Sequence, residues 1–243
     1  MGPLSQHERA ALSFSGGKDS MACVYLLRDW LDRITVYHLD TGDLLPEVRE
    51  VVDHVRGMAP HFVTIQTDAR KWRRENGLPS DLVPYSQHPI GGYMGDARLR
   101  IVHRYECCGA NLMAPLWARI KEDGHTLCIR GTKAVDMRRL TVRTGETHEG
   151  VEMWLPLQDW THAEVFAFLK AQGAPLCRIY DHVTNSPECA TCPAWWGEKR
   201  AAYLKRYHPE LWAEYREGVA LVMEEIGPSI TALATEMRSL VDG

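Results

Sequence analysis

The sequence predicts an α/β fold, a parallel twisted sheet with helices on both faces, followed by a C-terminal helical extension. Two observations lead to this class. Short apolar runs alternate with segments of helical periodicity, and such alternation produces right-handed βαβ units. Turn residues follow directly after several of these runs, and ligands of parallel sheets bind beyond the carboxyl ends of the strands. The predicted strands cover residues 10–14, 34–39, 61–67 and 126–130.

The helices between these strands have recognisable start and stop signals. The first follows residues 10–14 and is expected to end near Leu31. Thr161 is followed three residues later by a glutamate, which is the pattern of a capping box, and Gly173 ends that helix. The other predicted helices cover residues 46–55 and 111–122.

Two segments depart from this alternation. Periodicity fails from residue 68 to residue 93, so we expect a long irregular segment of the kind that forms lids or binding loops. Residues 140–143 and 151–154 are predicted to pair as a hairpin around Gly145.

The tail, residues 194–241, is predicted to be helical, with breaks at Pro209 and at Gly227-Pro228. We therefore divide the chain into an α/β domain at residues 1–193 and a C-terminal helical extension at residues 194–243.

Composition limits the function classes. The chain has 243 residues and a formal net charge of −4, so its overall charge does not indicate nucleic acid or a membrane surface. No apolar run approaches the roughly 20 residues that span a bilayer, and residues 1–7 do not resemble a signal peptide. Seven cysteines without an export signal favour a reducing compartment. We expect a cytoplasmic protein without membrane contact, and the Trp-rich tail is compatible with a homodimer.

Small and polar residues separate the first strand from the first helix, in the stretch Ser13-Phe-Ser-Gly-Gly-Lys-Asp-Ser20. A glycine turn that leads into a helix N-terminus directs several backbone N–H groups toward one point. Lys18 adds a positive charge, and two serines add hydroxyl groups. An ordinary turn with a surface lysine is the alternative. The composition of the stretch favours a phosphate-binding loop.

Four of the cysteines form two pairs, Cys107-Cys108 and Cys189-Ala-Thr-Cys192. Thiolates are soft ligands for zinc or iron, so two distant pairs can converge on one metal centre. Adjacent cysteines diverge on a helix or strand, which favours an iron–sulfur cluster over a single zinc ion. Four unligated cysteines are the alternative. Cys23 and Cys128 lie in apolar periodic segments and are expected to be inert core residues. Cys177 lies in a predicted loop, where burial is favoured and a reactive thiol is the alternative.

These motifs together resemble one superfamily. The glycine loop resembles the pyrophosphate loop (PP-loop) of the N-type ATP pyrophosphatases, which have the Rossmann-like adenine nucleotide α-hydrolase fold. Three further segments, in the same order over residues 8–196, resemble the phosphoadenylylsulfate (PAPS) reductase family. They are Leu39-Asp-Thr-Gly-Asp-Leu-Leu-Pro-Glu47, the two cysteine pairs, and Pro156-Leu-Gln-Asp-Trp-Thr161 with Leu176-Cys-Arg-Ile-Tyr-Asp181.

The resemblance implies a nucleotide site with defined residues. The phosphates would be bound by Ser13, Ser15, Gly16, Gly17, Lys18, Asp19 and Ser20. The base would lie near Asp40, Thr41 and Gly42, and the cleft would be completed by Gly131, Lys133 and Arg139. The catalytic candidates are Lys18, Asp19 and Arg139. In the assimilatory adenylylsulfate (APS) reductases the paired cysteines hold a 4Fe–4S cluster, which implies the same for Cys107, Cys108, Cys189 and Cys192.

Two departures from the reductases favour ATP as the substrate. Those enzymes use a nucleophilic cysteine in a C-terminal Glu-Cys-Gly segment, whereas no cysteine follows Cys192 here. The loops of those enzymes usually lack a lysine and a following Asp-Ser. Here Lys18, Asp19 and Ser20 are present, and they suit the release of pyrophosphate. The sequence therefore favours an ATP pyrophosphatase that uses Mg²⁺ to adenylate an acceptor during sulfur transfer, with Asp19 or Asp40 as a ligand of the cation.

Two alternatives stay open. One is a PAPS or APS reductase that releases sulfite, and the other is a nucleotide-binding subunit with a structural cluster. A cysteine desulfurase is the expected sulfur donor for the ATP pyrophosphatase, and a thiol reductant is expected for the PAPS or APS reductase. The basic residues 70–74 are either contacts for a nucleic-acid acceptor or a solvated helix face.

Overall fold

The computed structural model describes residues 2–88, 99–136, 140–186, 189–197 and 199–241. The strands are β1 (Ala10–Phe14), β2 (Ile34–Asp40), β3 (His61–Gln66), β4 (Leu78–Ser80), β5 (Ile101–His103), β6 (Leu127–Ile129), β7 (Thr147–His148) and β8 (Val151–Trp154). The main sheet has the strand order β3-β2-β1-β6-β8-β7, and every neighbouring pair is parallel except β7 with β8. Strands β4 and β5 form a separate parallel pair. The predicted fold class is confirmed.

Helices flank the sheet and continue into a long C-terminal helix. They are α1 (Lys18–Leu26), α2 (Pro46–Met58), α3 (Ala69–Asn76), α4 (Arg104–Cys108), α5 (Ala114–Glu122), α6 (His162–Gln172), α7 (Arg200–Tyr207) and α8 (Pro209–Val241). Thr161 and Glu164 form the expected capping box of α6, and Gly173 ends that helix with a left-handed backbone. None of the described helices is long and apolar enough to cross a membrane.

The central strand β1 separates two apolar layers. Leu12 and Phe14 belong to the larger buried cluster, whereas Ala11 faces the smaller cluster with Cys128 and Met153. This alternation is expected when both faces of a parallel strand are covered. Cys23 is also fully buried in the larger cluster, so Cys23 and Cys128 are core residues as predicted.

The segment from residue 68 to residue 93 is not wholly irregular, so that prediction is wrong for its first part. Asp68 caps α3 by accepting a hydrogen bond from the backbone N–H of Lys71 at 2.8 Å, and β4 follows. The helix buries only Ala69 and Arg73 and its other residues are mostly charged, which removes the apolar periodicity that predicts helices. Residues 89–98 lie outside the described part.

Three predicted elements also differ in their boundaries. Helix α1 ends at Leu26 and is followed by a 3₁₀ turn. The helix expected to begin at residue 111 starts at Arg104 and passes through a π-helical turn at Gly109–Met113. The hairpin partner of β8 is Thr147–His148, because the turn lies at Glu149 and Gly150 instead of Gly145.

The tail differs from its prediction at two places. Residues 194–197 are not helical, and α8 continues through Gly227 and Pro228 without a break. A proline inside a helix removes one hydrogen bond, and the neighbouring turn is exposed to water that can satisfy the freed carbonyl. Tyr203 and Tyr215 of the tail belong to the larger buried cluster of the sheet. The division of the chain at residue 193 stays a prediction.

Candidate active site

The loop between β1 and α1 has the shape expected for an anion site. Gly16 has a φ of +81°, and a Cβ there would lie 2.8 Å from Cγ1 of Val48. The Ser15 and Ser20 hydroxyls lie 3.2 Å apart, and Ser20 Oγ donates to the carbonyl of Gly17 at 3.0 Å. These internal bonds hold the loop tightly at the first turn of α1, where the helix dipole favours negative charge. Ser13, also predicted to bind phosphate, lies within β1.

Lys18 is the first residue of α1 and is only 1% exposed. Its Nζ donates to Asp19 Oδ2 at 2.9 Å and to Asn185 Oδ1 at 2.9 Å. Burial lowers the pKa of Lys18, and the neighbouring Asp19 carboxylate partly offsets this effect. The Tyr180 hydroxyl accepts the backbone N–H of Lys18 at 3.1 Å, which brings the segment after α6 against the loop.

A second buried lysine completes the charge network. Lys133 is fully buried, and its Nζ lies 2.6 Å from Asp19 Oδ1 and 3.0 Å from Asp136 Oδ2. The network therefore alternates in sign from Lys18 through Asp19 and Lys133 to Asp136. An additional anion placed at the loop would meet two cations that are already fixed in position. The third catalytic candidate, Arg139, lies outside the described residues.

Gly131 allows this network to form, because it brings the end of β6 against α1. A Cβ at this position would lie 2.8 Å from the backbone carbon and 2.9 Å from the backbone oxygen of Asp19. Backbone atoms at this distance cannot move aside as a flexible side chain can. The predicted role of Gly131 in lining the cleft thus has a steric basis.

We expect Gly131→Ala to destabilise the fold by about 1–3 kcal/mol and to weaken nucleotide binding by displacing Asp19. Urea unfolding and titration with an adenine nucleotide measure the two effects. The matched control is Gly57→Ala, where a Cβ meets nothing within 4 Å and where alanine favours the helix. Wild-type stability and affinity in Gly131→Ala would contradict this steric role.

The predicted base-binding residues lie at the carboxyl end of β2. Asp40 Oδ1 accepts the backbone N–H of Gly42 at 2.9 Å, and Gly42 has a φ of +72°. A cavity of about 260 Å³ opens here, with Asp40 and Arg49 among its lining residues. A smaller cavity of about 20 Å³ lies beside the glycine loop. Thr41 is fully buried on the other side of this turn.

One of the paired cysteines contacts this turn. The sulfur of Cys189 lies 3.4 Å from Oγ1 of Thr41. Cys107 and Cys192 lie within electrostatic range of each other, and burial raises the pKa values of Cys107 and Cys189. The fourth cysteine, Cys108, is half-buried at the end of α4. Three of the four predicted ligands therefore occupy one region next to the cleft.

Residues that the sequence analysis did not select hold this cysteine centre. The buried Asp43 carboxylate accepts from Thr191 Oγ1 at 2.8 Å and from Arg73 Nη1 at 2.8 Å. Arg70 also pairs with Asp43, at 3.0 Å. Arg200 donates to the carbonyls of Cys189 at 3.1 Å and of Ala190. Both Arg70 and Arg73 of the basic stretch 70–74 therefore have partners inside the protein.

The cysteine region fits a sulfur-ligated metal group in its chemistry. Its donors are soft thiols, and two buried N–H groups of Arg73, at Nε and Nη2, have no nitrogen or oxygen acceptor in the described part of the chain. Among the residues that the structure describes, however, no three His, Cys, Asp or Glu side chains are already arranged around a metal position. The cluster therefore stays a proposal.

The family is decided by comparison with known proteins. A model of the phosphoadenosine phosphosulfate reductase domain matches residues 9–195. The chain belongs to this family. The resemblance inferred from the PP-loop and the cysteine pairs is thereby confirmed, and the match covers every predicted site residue.

Relatives within the family carry a reductase name. The adenosine 5'-phosphosulfate reductase of Allochromatium vinosum is 24% identical over 72% of this chain, and the chain spans 64% of that protein's length. The protein of the same name from Burkholderia cepacia is 22% identical over 80% of this chain and 78% of its own length.

A solved structure supports the fold. The phosphate complex of phosphoadenylyl-sulfate reductase from Candida auris superposes with a TM-score of 0.52 at 14% identity, covering 74% of this chain and 84% of that one. This likeness extends to the architecture alone.

Proposed function

We propose that the protein is a sulfonucleotide reductase that cleaves adenosine 5'-phosphosulfate or its 3'-phosphorylated form and releases sulfite. The observation that carries this proposal is the contact between Thr41, at the nucleotide turn, and the sulfur of Cys189 at 3.4 Å. The names of the relatives support the same reaction better than they support the ATP pyrophosphatase favoured from the sequence.

The glycine loop would bind the charged end of the nucleotide. The backbone N–H of Gly16 and the N-terminus of α1 suit the phosphate and sulfate oxygens. The N–H groups of Gly17 and Lys18 donate to Ser15 Oγ at 3.3 Å and to the Tyr180 hydroxyl at 3.1 Å, and the ligand would replace these partners. Lys18 and Lys133, fixed on either side of Asp19, neutralise the charge that remains on the nucleotide when the sulfonate leaves. Asp40 to Gly42 would contact the adenosine, and Arg139 would contact the α-phosphate.

The reaction balances with an external thiol. A thiolate attacks the sulfur atom, the bond between sulfur and the phosphate oxygen breaks, and the nucleoside phosphate leaves with that electron pair. A second thiol then reduces the S-sulfonated thiol, which releases sulfite and forms a disulfide. Cys177 lines the small cavity at the loop but is 2% exposed, and burial raises its pKa to about 11. A dithiol protein or a small thiol is therefore the proposed reductant.

The cysteines Cys107, Cys108, Cys189 and Cys192 would hold a 4Fe–4S cluster. When bound, such a cluster supplies a redox-active group with its own charge beside the nucleotide. Asp43, through Thr191, and Arg200, through two carbonyls, fix the Cys189–Cys192 loop against the turn after β2.

A second candidate reaction is the cleavage of ATP to AMP and pyrophosphate with Mg²⁺, coupled to sulfur transfer onto an acceptor. The burial of Lys18 against Asp19 favours it, because this pair suits both a departing pyrophosphate and its cation. A cysteine desulfurase and a nucleic-acid acceptor would be the partners in that case.

A product assay distinguishes the two reactions. Anaerobically purified protein is incubated with a dithiol and either adenosine 5'-phosphosulfate or its 3'-phosphorylated form, and in parallel with ATP, Mg²⁺ and a sulfur donor. We expect sulfite and AMP, or the 3'-phosphate of AMP, in equal amounts from the first reaction and no pyrophosphate from the second. Pyrophosphate release without sulfite would establish the second candidate, and binding of nucleotide without any product would refute both.

A further inference from the structure

Arg73 has an incomplete set of hydrogen bonds at a buried position. The side chain is 5% exposed and lies on α3. Its Nη1 donates to Asp43 Oδ2 at 2.8 Å and to Thr191 Oγ1 at 3.1 Å. Its Nε and Nη2, equally buried, meet no nitrogen or oxygen acceptor within the part of the chain that the structure describes, and the Cys107 thiol is a hydrogen-bond partner of this guanidinium. A buried guanidinium whose remaining N–H groups meet at most a thiol is costly, so it points to a ligand of matching chemistry.

The surroundings of Arg73 identify that chemistry as sulfur. Burial by itself lowers the pKa of Arg73, and the neighbouring Cys189, Asp43, Cys192 and Cys107 raise it overall. The Arg73 guanidinium is a hydrogen-bond partner of the Cys107 thiol, and its Nη1 donates to Thr191, which lies between Cys189 and Cys192 in the sequence. Sulfur atoms from two separate segments of the chain therefore lie within electrostatic range of the guanidinium.

The charge balance leads to the same conclusion. Arg73 and Arg200 are both buried, whereas Asp43 is the buried carboxylate that faces them. The N–H groups of Arg200 donate to backbone carbonyls, including that of Cys192 at 3.2 Å. With neutral thiols, this region carries excess positive charge. Thiolates bound to iron are anionic and would compensate it.

We propose that Arg73 is a positioning residue of the cysteine centre, whose Nε–H and Nη2–H groups donate to the sulfur atoms of a bound iron–sulfur cluster. The proposal rests on the cluster of the proposed function and deepens it. Arg73 would connect the cluster, through Asp43, to the turn that follows β2. Because it places a positive charge beside an anionic group, it stabilises the reduced form and raises the reduction potential.

Arg70 provides a matched control on the same helix. It also pairs with Asp43, at 3.0 Å, but it is partly exposed and its other partners are Glu214 and the carbonyl of Gly42. Arg73→Met and Arg70→Met therefore each remove one cation from Asp43. Only Arg73→Met removes donors from the cysteine centre.

The test is a redox titration of the iron-loaded protein, followed by its visible absorption, for wild type and both variants. For Arg73→Met we expect a potential lowered by ~59 mV, which is a tenfold change in the ratio of oxidised to reduced cluster for one electron. Arg70→Met should retain the wild-type potential. Equal potentials in Arg73→Met and Arg70→Met would overturn the proposal.

Two further measurements cover the remaining cases. If Arg73→Met does not fold, Arg73→Lys replaces it, since lysine keeps the charge near Asp43 but loses the fork of donors. Iron release to a chelator should then be at least tenfold faster than from Arg70→Lys, and equal rates would overturn the proposal. Wild-type protein that binds no iron would also overturn it, whereas a shifted potential without sulfite release would refute only the proposed reaction.

Discussion

Lys18→Met is expected to reduce kcat/KM by about 10²–10³-fold, because it removes a fixed charge from the point where negative charge develops. The lysine is 1% exposed, and its ammonium already lies 2.9 Å from both Asp19 and Asn185. It therefore needs little rearrangement when the substrate binds. Methionine fills a similar volume without the charge. Asp19 keeps Lys133 as a partner at 2.6 Å, so the variant should fold.

The measurement compares steady-state rates of sulfite release, with circular dichroism to verify folding. Lys71→Met is the control, since Lys71 is an exposed residue of α3 whose nearest carboxylate, Glu75, lies 4.0 Å away. Its activity should equal that of wild type. If Lys18→Met retains more than half of the activity, the buried lysine does not act on the reacting phosphate.

Cys189→Ser is expected to abolish sulfite release and to lower the affinity for iron by at least 10–100-fold, on the order found for weakened metal sites. Cys189 is a predicted ligand and the sulfur nearest to the nucleotide turn. A serine hydroxyl is a hard, weakly acidic ligand and replaces a thiolate poorly. Iron content and visible absorption after anaerobic reconstitution measure the loss.

Cys128→Ala is the matched control for this change. Cys128 is also buried, at 2% exposure, but it lies in β6 and packs in the smaller apolar cluster. The variant should lose about 1–2 kcal/mol of stability and retain full iron content. Retention of iron by Cys189→Ser, or equal loss from both variants, would contradict the assignment of the cysteine centre.

The phosphate side of the proposed site depends on local chemistry, so it can be proposed from the sequence alone. Glycine at a left-handed turn, a helix N-terminus and a following lysine act within one loop, so spacing is sufficient evidence. Gly131 and Lys133 are also predictable, because β6 is parallel to β1 and their carboxyl ends meet at one edge.

The support of the cysteine centre depends instead on long-range pairing. Asp43 and Arg73 are 30 residues apart, and Asp43 and Thr191 are 148 residues apart. The basic stretch around Arg73 has the composition of a solvated face or a nucleic-acid contact. Its burial becomes evident only when α3 is placed beside the Cys189–Cys192 loop.

The choice of reaction depends on the group that follows the α-phosphate. Both reactions need an anion-binding loop, and the residues around Gly16 suit sulfate and pyrophosphate alike. The names of the relatives favour reduction, whereas the lysine and aspartate of the loop led the sequence analysis to favour ATP. The cellular location and a homodimer stay predictions.

Central to the proposed function is the contact between the cysteine centre and the turn at Asp40 to Gly42, which is proposed to bind the nucleotide. An anaerobic titration of iron-loaded protein with adenosine 5'-phosphosulfate tests this contact most directly. The Thr41 hydroxyl lies 3.4 Å from the Cys189 sulfur, so nucleotide binding should change the visible absorption of the cluster. Thr41→Val removes this contact and should reduce the change while the cluster remains bound. A spectrum that does not respond to saturating nucleotide in the wild type would show that the two halves do not form one active site.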